Sequence, residues 1–478
     1  TILLAFLISS CSRFEAVPEV TDSVIDQPTS TAIATTESVV TEARAVTPNV
    51  PSTESTPLTE YTFVAIVDYN KHTLEVTESI HYQNQTDIAL RTLKLVVPPN
   101  QEPGVFELRS ISATGGVMLL NQSLAGLEWV LEFNEPLETG ENTTIAIDYR
   151  LNLQNNSGIL GYSSRQLNVA DWYPFVPPYD PKTGWVVHSP AKVGEYLVYD
   201  MADFHLTLAG TEGLQVAAST AVVPNITNVK MDAQNTRNIS FSISDQYKLL
   251  KTRAGHTDIY AYFFEGDEAS GQAALENTRL AMETFSEIFD SPYPHETMIL
   301  VEADFTDGME VDGLHYLSRD YFTRYDGGMT NYLSLLSVHE TAHQWWYAMV
   351  ANDQALEPWL DEALATYSEY LFIERNYPEL RNWWWEYRVD TYKPSGKANM
   401  TIYEQYELRP YINSVYLQGA TFLHELRSLL GEETFFTGLR SYVSQYNSRL
   451  ADWDGFLEIM VPDSSEDATA LLQDYFGK

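Results

Sequence analysis

Cysteine is almost missing from this chain: Cys11 is the only one in 478 residues, so no disulfide can form within it. Positive charge is also scarce, with 28 Lys and Arg against 66 Asp and Glu and a formal charge of −38. That balance excludes nucleic acid, which basic patches bind by neutralising phosphates, and electrostatic docking on anionic lipid. It fits a soluble, acid-surfaced extracytoplasmic protein, although solubility or a saline habitat explains the charge as well. Long apolar runs are absent too. Residues 1–9 are apolar but too short to span a bilayer, which takes about 20 such residues. No internal repeat appears at the periods of helical solenoids or propellers. What the chain has in quantity is aromatic surface, thirty Tyr, twenty Phe and ten Trp, enough for a large core.

The apolar run has the length of a secretory signal core, and Ile8-Ser-Ser-Cys11 resembles a bacterial lipobox, in which the cysteine becomes the lipidated first residue. The plain alternative is an ordinary signal peptide with an incidental cysteine. The solitary cysteine falling at that one place favours a lipoprotein, membrane-attached through Cys11 and exposed outside the cytoplasm. Residues 12–57 are rich in Ser, Thr, Pro and acids, with no Gly and one aromatic, Phe14. Such a segment cannot bury enough apolar surface to offset ordering and reads as a disordered tether.

From Tyr61 to Ser244 apolar residues alternate with period two, as in Tyr61-Thr-Phe-Val-Ala-Ile-Val-Asp-Tyr69 and Leu127-Glu-Trp-Val-Leu-Glu-Phe133, which predicts strands. Beyond, a strand at 258–264 leads into a helix to about Phe289, a strand covers 298–302, and from Tyr332 nearly everything reads as helix. The expected class is multidomain α+β: an antiparallel β domain over 58–250, then a catalytic domain over 251–478, mostly helical in its second half.

Residues 339–343 read His-Glu-Thr-Ala-His. On a helix, positions i and i+4 share a face, so His339 and His343 can reach one ion, and zinc accepts imidazole nitrogen. A catalytic zinc takes three protein ligands and leaves a position for water. Glu362, in or near the first turn of a helix after Pro358, is the third candidate. Glu340 follows a ligand directly and can take a proton from the activated water and pass it to a leaving amine. Asp361 and Glu369 are either partners for the imidazole N–H groups or plain helix charge.

His339-Glu-Thr-Ala-His-Gln-Trp-Trp followed by Glu357-Pro-Trp-Leu-Asp-Glu362 resembles the gluzincin aminopeptidase family M1, whose signature is H-E-x-x-H and, eighteen residues on, a glutamate. Gly308-Met-Glu-Val-Asp-Gly-Leu314 resembles the family's G-x-M-E-N segment, with Asp307 where its first Gly would be and Val311 where the fuller signature has Asn. Asn413-Ser-Val-Tyr-Leu-Gln-Gly-Ala420 resembles the segment with the catalytic tyrosine, and Asp171-Trp-Tyr-Pro and Tyr199–Leu208 resemble the N-terminal β domain. The resemblance implies a thermolysin-like catalytic domain, one Zn2+ per chain, and a compact form without the large C-terminal helical domain of many relatives. It implies that Tyr416 donates to the oxyanion, that Glu310 binds the free α-amine of a peptide substrate, and that Gly308 and Met309 line the substrate site. Gln166 of the β domain aligns only loosely with a second amine ligand and is left out of the expected site. His315 reads as structural, His424 as a packing or surface residue, and Trp383-Trp-Trp385 as core or groove wall. The other readings are a zinc endopeptidase or another zinc hydrolase with an open cleft, and a non-catalytic scaffold. Five intact residues, His339, Glu340, His343, Glu362 and Tyr416, weigh against the scaffold.

Overall fold

The computed structural model describes residues 58–478, apart from 157, 225–227, 462–464 and 478. The leader and tether assigned to residues 1–57 lie outside the described residues. Period-two sequence becomes sheet as expected: in the first strand, Thr59–Asp68, residues Tyr61, Phe63, Ala65 and Val67 are buried while Val64 and Ile66 face outward. This strand lies within a seven-stranded sheet that packs with a three-stranded one (Leu90–Val96, Glu128–Leu137, Leu119–Ala125) around a common aromatic core.

Two expectations need correction. The β domain is not wholly antiparallel: Thr59–Asp68 runs parallel to Ala202–Ala209, in register Thr59 to Ala202. Parallel neighbours need a long crossover, and the intervening strands of the domain supply it, which period alone cannot reveal. The boundary at residue 250 also cuts a strand. Lys248–Ala254 forms a hairpin with Thr257–Phe263, so it belongs to the five-stranded sheet of the second half. That sheet continues through Thr297–Ala303 and Leu314–Ser318 to an edge strand, Gly308–Val311. Helix α1 (Glu268–Ile288) packs with it, and α2 (Arg319–Arg324), α3 (Tyr332–Ala342) and α4 (Trp359–Asn376) follow. The remainder is mainly helical, save short parallel strands at Val350–Asn352 and Arg449–Ala451.

The halves share a core. Ala170, Ala217 and Tyr247 pack with Val301, Leu314 and Tyr316, and the described residues form one compact unit. Gln166 is committed to this seam: its amide donates to Tyr247 Oη (2.7 Å) and the Glu302 carbonyl (3.1 Å) and accepts from Asp304 N (2.8 Å). It is therefore structural, not an amine ligand.

Alternation also forces one polar residue inward. Glu78 shares the buried face of Thr73–Gln83 with Leu74, Val76 and Ile80 and is fully buried. Burial pushes its carboxyl well above the usual range, and the nearby Tyr149 hydroxyl offsets this only in part. A carboxyl raised by folding carries no penalty below its unfolded pKa, and stability falls as pH rises above it, because the folded state holds the proton more tightly. Glu78→Gln, which has no proton to lose, should therefore stabilise the protein more at pH 8 than at pH 4, by about 1.4 kcal/mol for each pH unit by which folding raises the carboxyl within that range. Denaturant midpoints at the two pH values would show this, and an equal effect at both would count against it.

Candidate metal centre and active site

α3 begins at Asn331, whose side chain accepts from Ser334 N (3.0 Å) and caps the helix. It runs almost wholly buried to His339, while His343 closes it as the C-cap, still in right-handed helical geometry. α4 returns beside it, with Glu362 in its first turn and Glu369 two turns on, so both carboxylates face α3.

Three donor atoms converge. His343 Nε2 lies 3.2 Å from His339 Nε2, and Glu362 Oε2 lies 3.3 Å from His339 Nε2 and 3.6 Å from His343 Nε2. A tetrahedral ion with ligands at about 2.0–2.1 Å has edges of about 3.3–3.4 Å, so the set already has that spacing. The other imidazole nitrogens fix the tautomers. His339 Nδ1 donates to Glu369 Oε1 (2.9 Å) and His343 Nδ1 to the Trp346 carbonyl (3.0 Å). Each Nε2 is left with its lone pair facing the centre.

The charges also call for a cation. Burial disfavours the charged form of His339, yet Glu362 and Glu369 outweigh it and lift the group to about 9. Glu362 is likewise drawn down to about 2 by the two histidines against the upward push of burial. A divalent ion supplies that positive charge and keeps both imidazoles neutral. The donor set, its spacing and its tautomers fit zinc.

Glu369, left above as either partner or plain charge, is a partner. It accepts from Trp384 Nε1 (3.1 Å) and from Arg388 in a two-pronged bridge (Nε–Oε2 and Nη2–Oε1, both 3.0 Å). Asp361 is not: its Oδ1 accepts from Glu362 N (2.7 Å). Trp384 of the tryptophan run thus has a defined task, holding the carboxylate that orients His339.

The remaining sequence-predicted residues gather around one cavity of about 290 Å3, which Gly308, Met309, Glu310, Glu340 and Tyr416 all line. Gly308 lies so close that a Cβ there would fall 2.1 Å from Glu340 Oε1, which explains why this position carries no side chain. Asp307 has φ 73°, a left-handed conformation that suits glycine, the residue the family segment has there. Burial pushes the Glu340 carboxyl up to about 8. Atoms of Glu310, Glu340 and His343 lie within 4.8 Å of one another.

Tyr416 sits in a π-helical stretch, Asn413–Gln418, and donates to Glu362 Oε1. A Cβ on Gly419 would fall 2.3 Å from that of Ala363, so the small residue there lets this segment approach α4 closely. Burial and Glu362 push the Tyr416 phenol far up, so it stays protonated. His315 is structural as expected: it is fully buried, has no hydrogen-bond partner among the described residues, and burial lowers it to about 3. His424 packs against Tyr370 and Trp385.

Sequence reasoning missed Arg388 and Glu195. Glu195, in a loop of the β domain, accepts from Gln354 (2.6 Å), and burial followed by the Glu310 charge raises its carboxyl well above the usual range. A single Glu between Gly194 and Tyr196 carries no signal in sequence.

Residues 273–475 match the model of the peptidase family M1 domain. This region of the chain is similar to the peptidase family M1 domain. Aminopeptidase M1-D of Oryza sativa subsp. japonica is 27% identical over 236 residues, 46% of this chain and 27% of that protein. Endoplasmic reticulum aminopeptidase 1 of Mus musculus is 26% identical over 247 residues, 48% of this chain and 26% of its own length. The matched region thus spans about a quarter of the length of these relatives. The crystal structure of a point mutant of an M1 zinc metallopeptidase from Deinococcus radiodurans superposes with a TM-score of 0.62 at 16% identity, covering 88% of this chain and 94% of that one. The M1 fold therefore extends through the β domain.

The bridge from Arg388 through Glu369 to His339 predicts that Glu369→Gln weakens zinc binding by about 10–100-fold. Competition against a chromogenic chelator measures this, and a change under twofold would show that Glu369 does not orient the ligand.

Proposed function

We propose that this protein is a zinc-dependent aminopeptidase that removes the first residue from peptides. The observation that carries this reading is the closeness of Glu310 to Glu340 and His343, within 4.8 Å. In a peptide the α-nitrogen and its own carbonyl carbon are about 2.5 Å apart. An ammonium held by Glu310 and Glu195 therefore brings the first peptide bond, and no later one, to Glu340.

Zinc, when bound by His339, His343 and Glu362, supplies a Lewis acid that polarises the carbonyl and lowers the pKa of water. Glu340 takes a proton from the attacking water at its carboxylate and hands it to the departing amine. The Tyr416 hydroxyl, protonated at any working pH, donates to the oxygen that gains charge as water adds. Glu369 and Arg388 keep His339 in the required tautomer. Glu310 and Glu195 bind and orient the substrate's amine.

The test compares an unblocked alanyl or leucyl peptide with its N-acetylated twin. Only the free amine should be cleaved, a chelator should abolish turnover, and Glu340→Gln should lose about 10²–10⁴-fold in kcat while keeping its metal. Equal cleavage of the blocked peptide would instead establish an endopeptidase.

We also infer attachment to a membrane, outside the cytoplasm, through a lipid on Cys11; the lipobox-like Ile8–Cys11 supports it. Radiolabelled palmitate should enter the full-length protein in a bacterial host, and Cys11→Ser should abolish both label and membrane fractionation. Label persisting in the variant would refute the attachment.

A further inference from the structure

A second cavity, of about 280 Å3, adjoins the first and shares Gly194, Glu195, Met309 and Glu310 with it. Its walls come mainly from the β domain and include Pro98, Leu160 and Leu197, with Tyr199 and Tyr347 alongside. Beside the shared Glu195 and Glu310, two carboxylates line it, the half-buried Asp171 and the exposed Glu102, with amide side chains such as Asn156 and Asn238. The Asp171 backbone has φ 50°, an uncommon conformation for a residue other than glycine. Its side chain is fixed, since Oδ1 accepts from the Tyr199 hydroxyl at 2.7 Å. Among the described residues, no Lys, Arg or His lines the cavity. At its border with the first cavity, Glu310 is only 7% exposed, and its Oε1 has no hydrogen-bond partner among the described residues.

We propose that this cavity receives the side chain of the substrate's first residue and that Asp171 makes it select lysine or arginine. The inference rests on the aminopeptidase reading. If the α-amine sits on Glu195 and Glu310 and the carbonyl lies toward the histidines, the side chain leaves the intervening carbon on the other side of the acidic pair, where the second cavity opens. Burial raises the Asp171 carboxyl only to about 6, with Tyr199 opposing and the Glu310 charge adding to the rise. It is therefore ionised near neutral pH. A neutral side chain would strip water from this carboxylate and return nothing, whereas an ammonium or guanidinium pairs with it. The methylene stem of lysine or arginine suits the apolar walls. An acidic side chain would meet Asp171, Glu195 and Glu310 together.

The experiment measures kcat/KM for aminoacyl-p-nitroanilides of Lys, Arg, Leu, Met and Glu with the zinc-loaded protein, and repeats the series with Asp171→Asn. The wild type should prefer Lys and Arg over Leu by about tenfold or more, with Glu the poorest. In Asp171→Asn the lysyl-to-leucyl ratio should fall by about tenfold or more, whatever the overall activity of the variant. The wild-type series decides the matter even if the variant does not fold. Cleavage of free-amine substrates with Leu or Met preferred would overturn the role of Asp171 and leave the aminopeptidase reading standing. An unchanged ratio in a folded variant would do the same. Absence of free-amine cleavage alongside turnover of blocked peptides would overturn both.

Discussion

The structure depends first on one buried cation. Arg237, 1% exposed, extends from the β domain into the helical half and donates to five backbone carbonyls. Its Nε reaches Tyr347 and Ala348 (2.7 and 2.9 Å), Nη2 reaches Met349 and Arg449 (3.3 and 3.0 Å), and Nη1 reaches Tyr199 (3.2 Å). Its own N–H donates to Asp312 Oδ2 (2.9 Å). Burying a guanidinium is costly unless its donors are used, and here they are used on the turn just after His343. Trp346, whose carbonyl orients His343, begins that turn. The β domain is therefore part of the metal centre's support. It fixes the backbone beyond the second histidine and also contributes Tyr199 and Glu195.

α4 performs the complementary task. The helical repeat places Glu362 and Glu369 two turns apart on one face, where one reaches the Nε2 side of His339 and the other its Nδ1 side. One helix thus presents a ligand and the group that orients another ligand, and a slip along its axis would remove both. Arg388 and Trp384, from the next segment, hold Glu369 against such a slip. Because the imidazoles, the carboxylates and the glycine beside Glu340 interlock, the donors hold tetrahedral spacing from the fold itself.

This explains what could be read from sequence. His339, His343 and Glu362 were legible because helix geometry ties spacing to a shared face. The β domain was legible from period two, but the parallel pairing of Thr59–Asp68 with Ala202–Ala209 was not. Pairing partners are chosen by the whole sheet, and alternation looks the same in either direction. Glu195 and Arg388 were invisible because their roles come from tertiary approach, with no local pattern around them. Gln166, left out of the expected site on its loose alignment, indeed points its amide into the seam between domains.

The charges decide what the site can hold. Glu195, Glu310, Glu340, Glu362 and Glu369 stand together around two histidines, and Arg388 is bound to Glu369. Like charges in a weakly polar setting cannot all stay ionised, and Glu195 and Glu340 accordingly rise, chiefly through burial. The arrangement is relieved by positive guests at two separate points. One is a divalent ion among His339, His343 and Glu362, which would return Glu340 toward its ionised, proton-accepting form. The other is an ammonium between Glu195 and Glu310. Each guest lessens the acidic repulsion that the other meets, so metal and free-amine substrate favour one another's binding. A blocked amine would bury the pair without neutralising it. Exclusion of acylated peptides then follows from the same excess of carboxylate that draws the metal in.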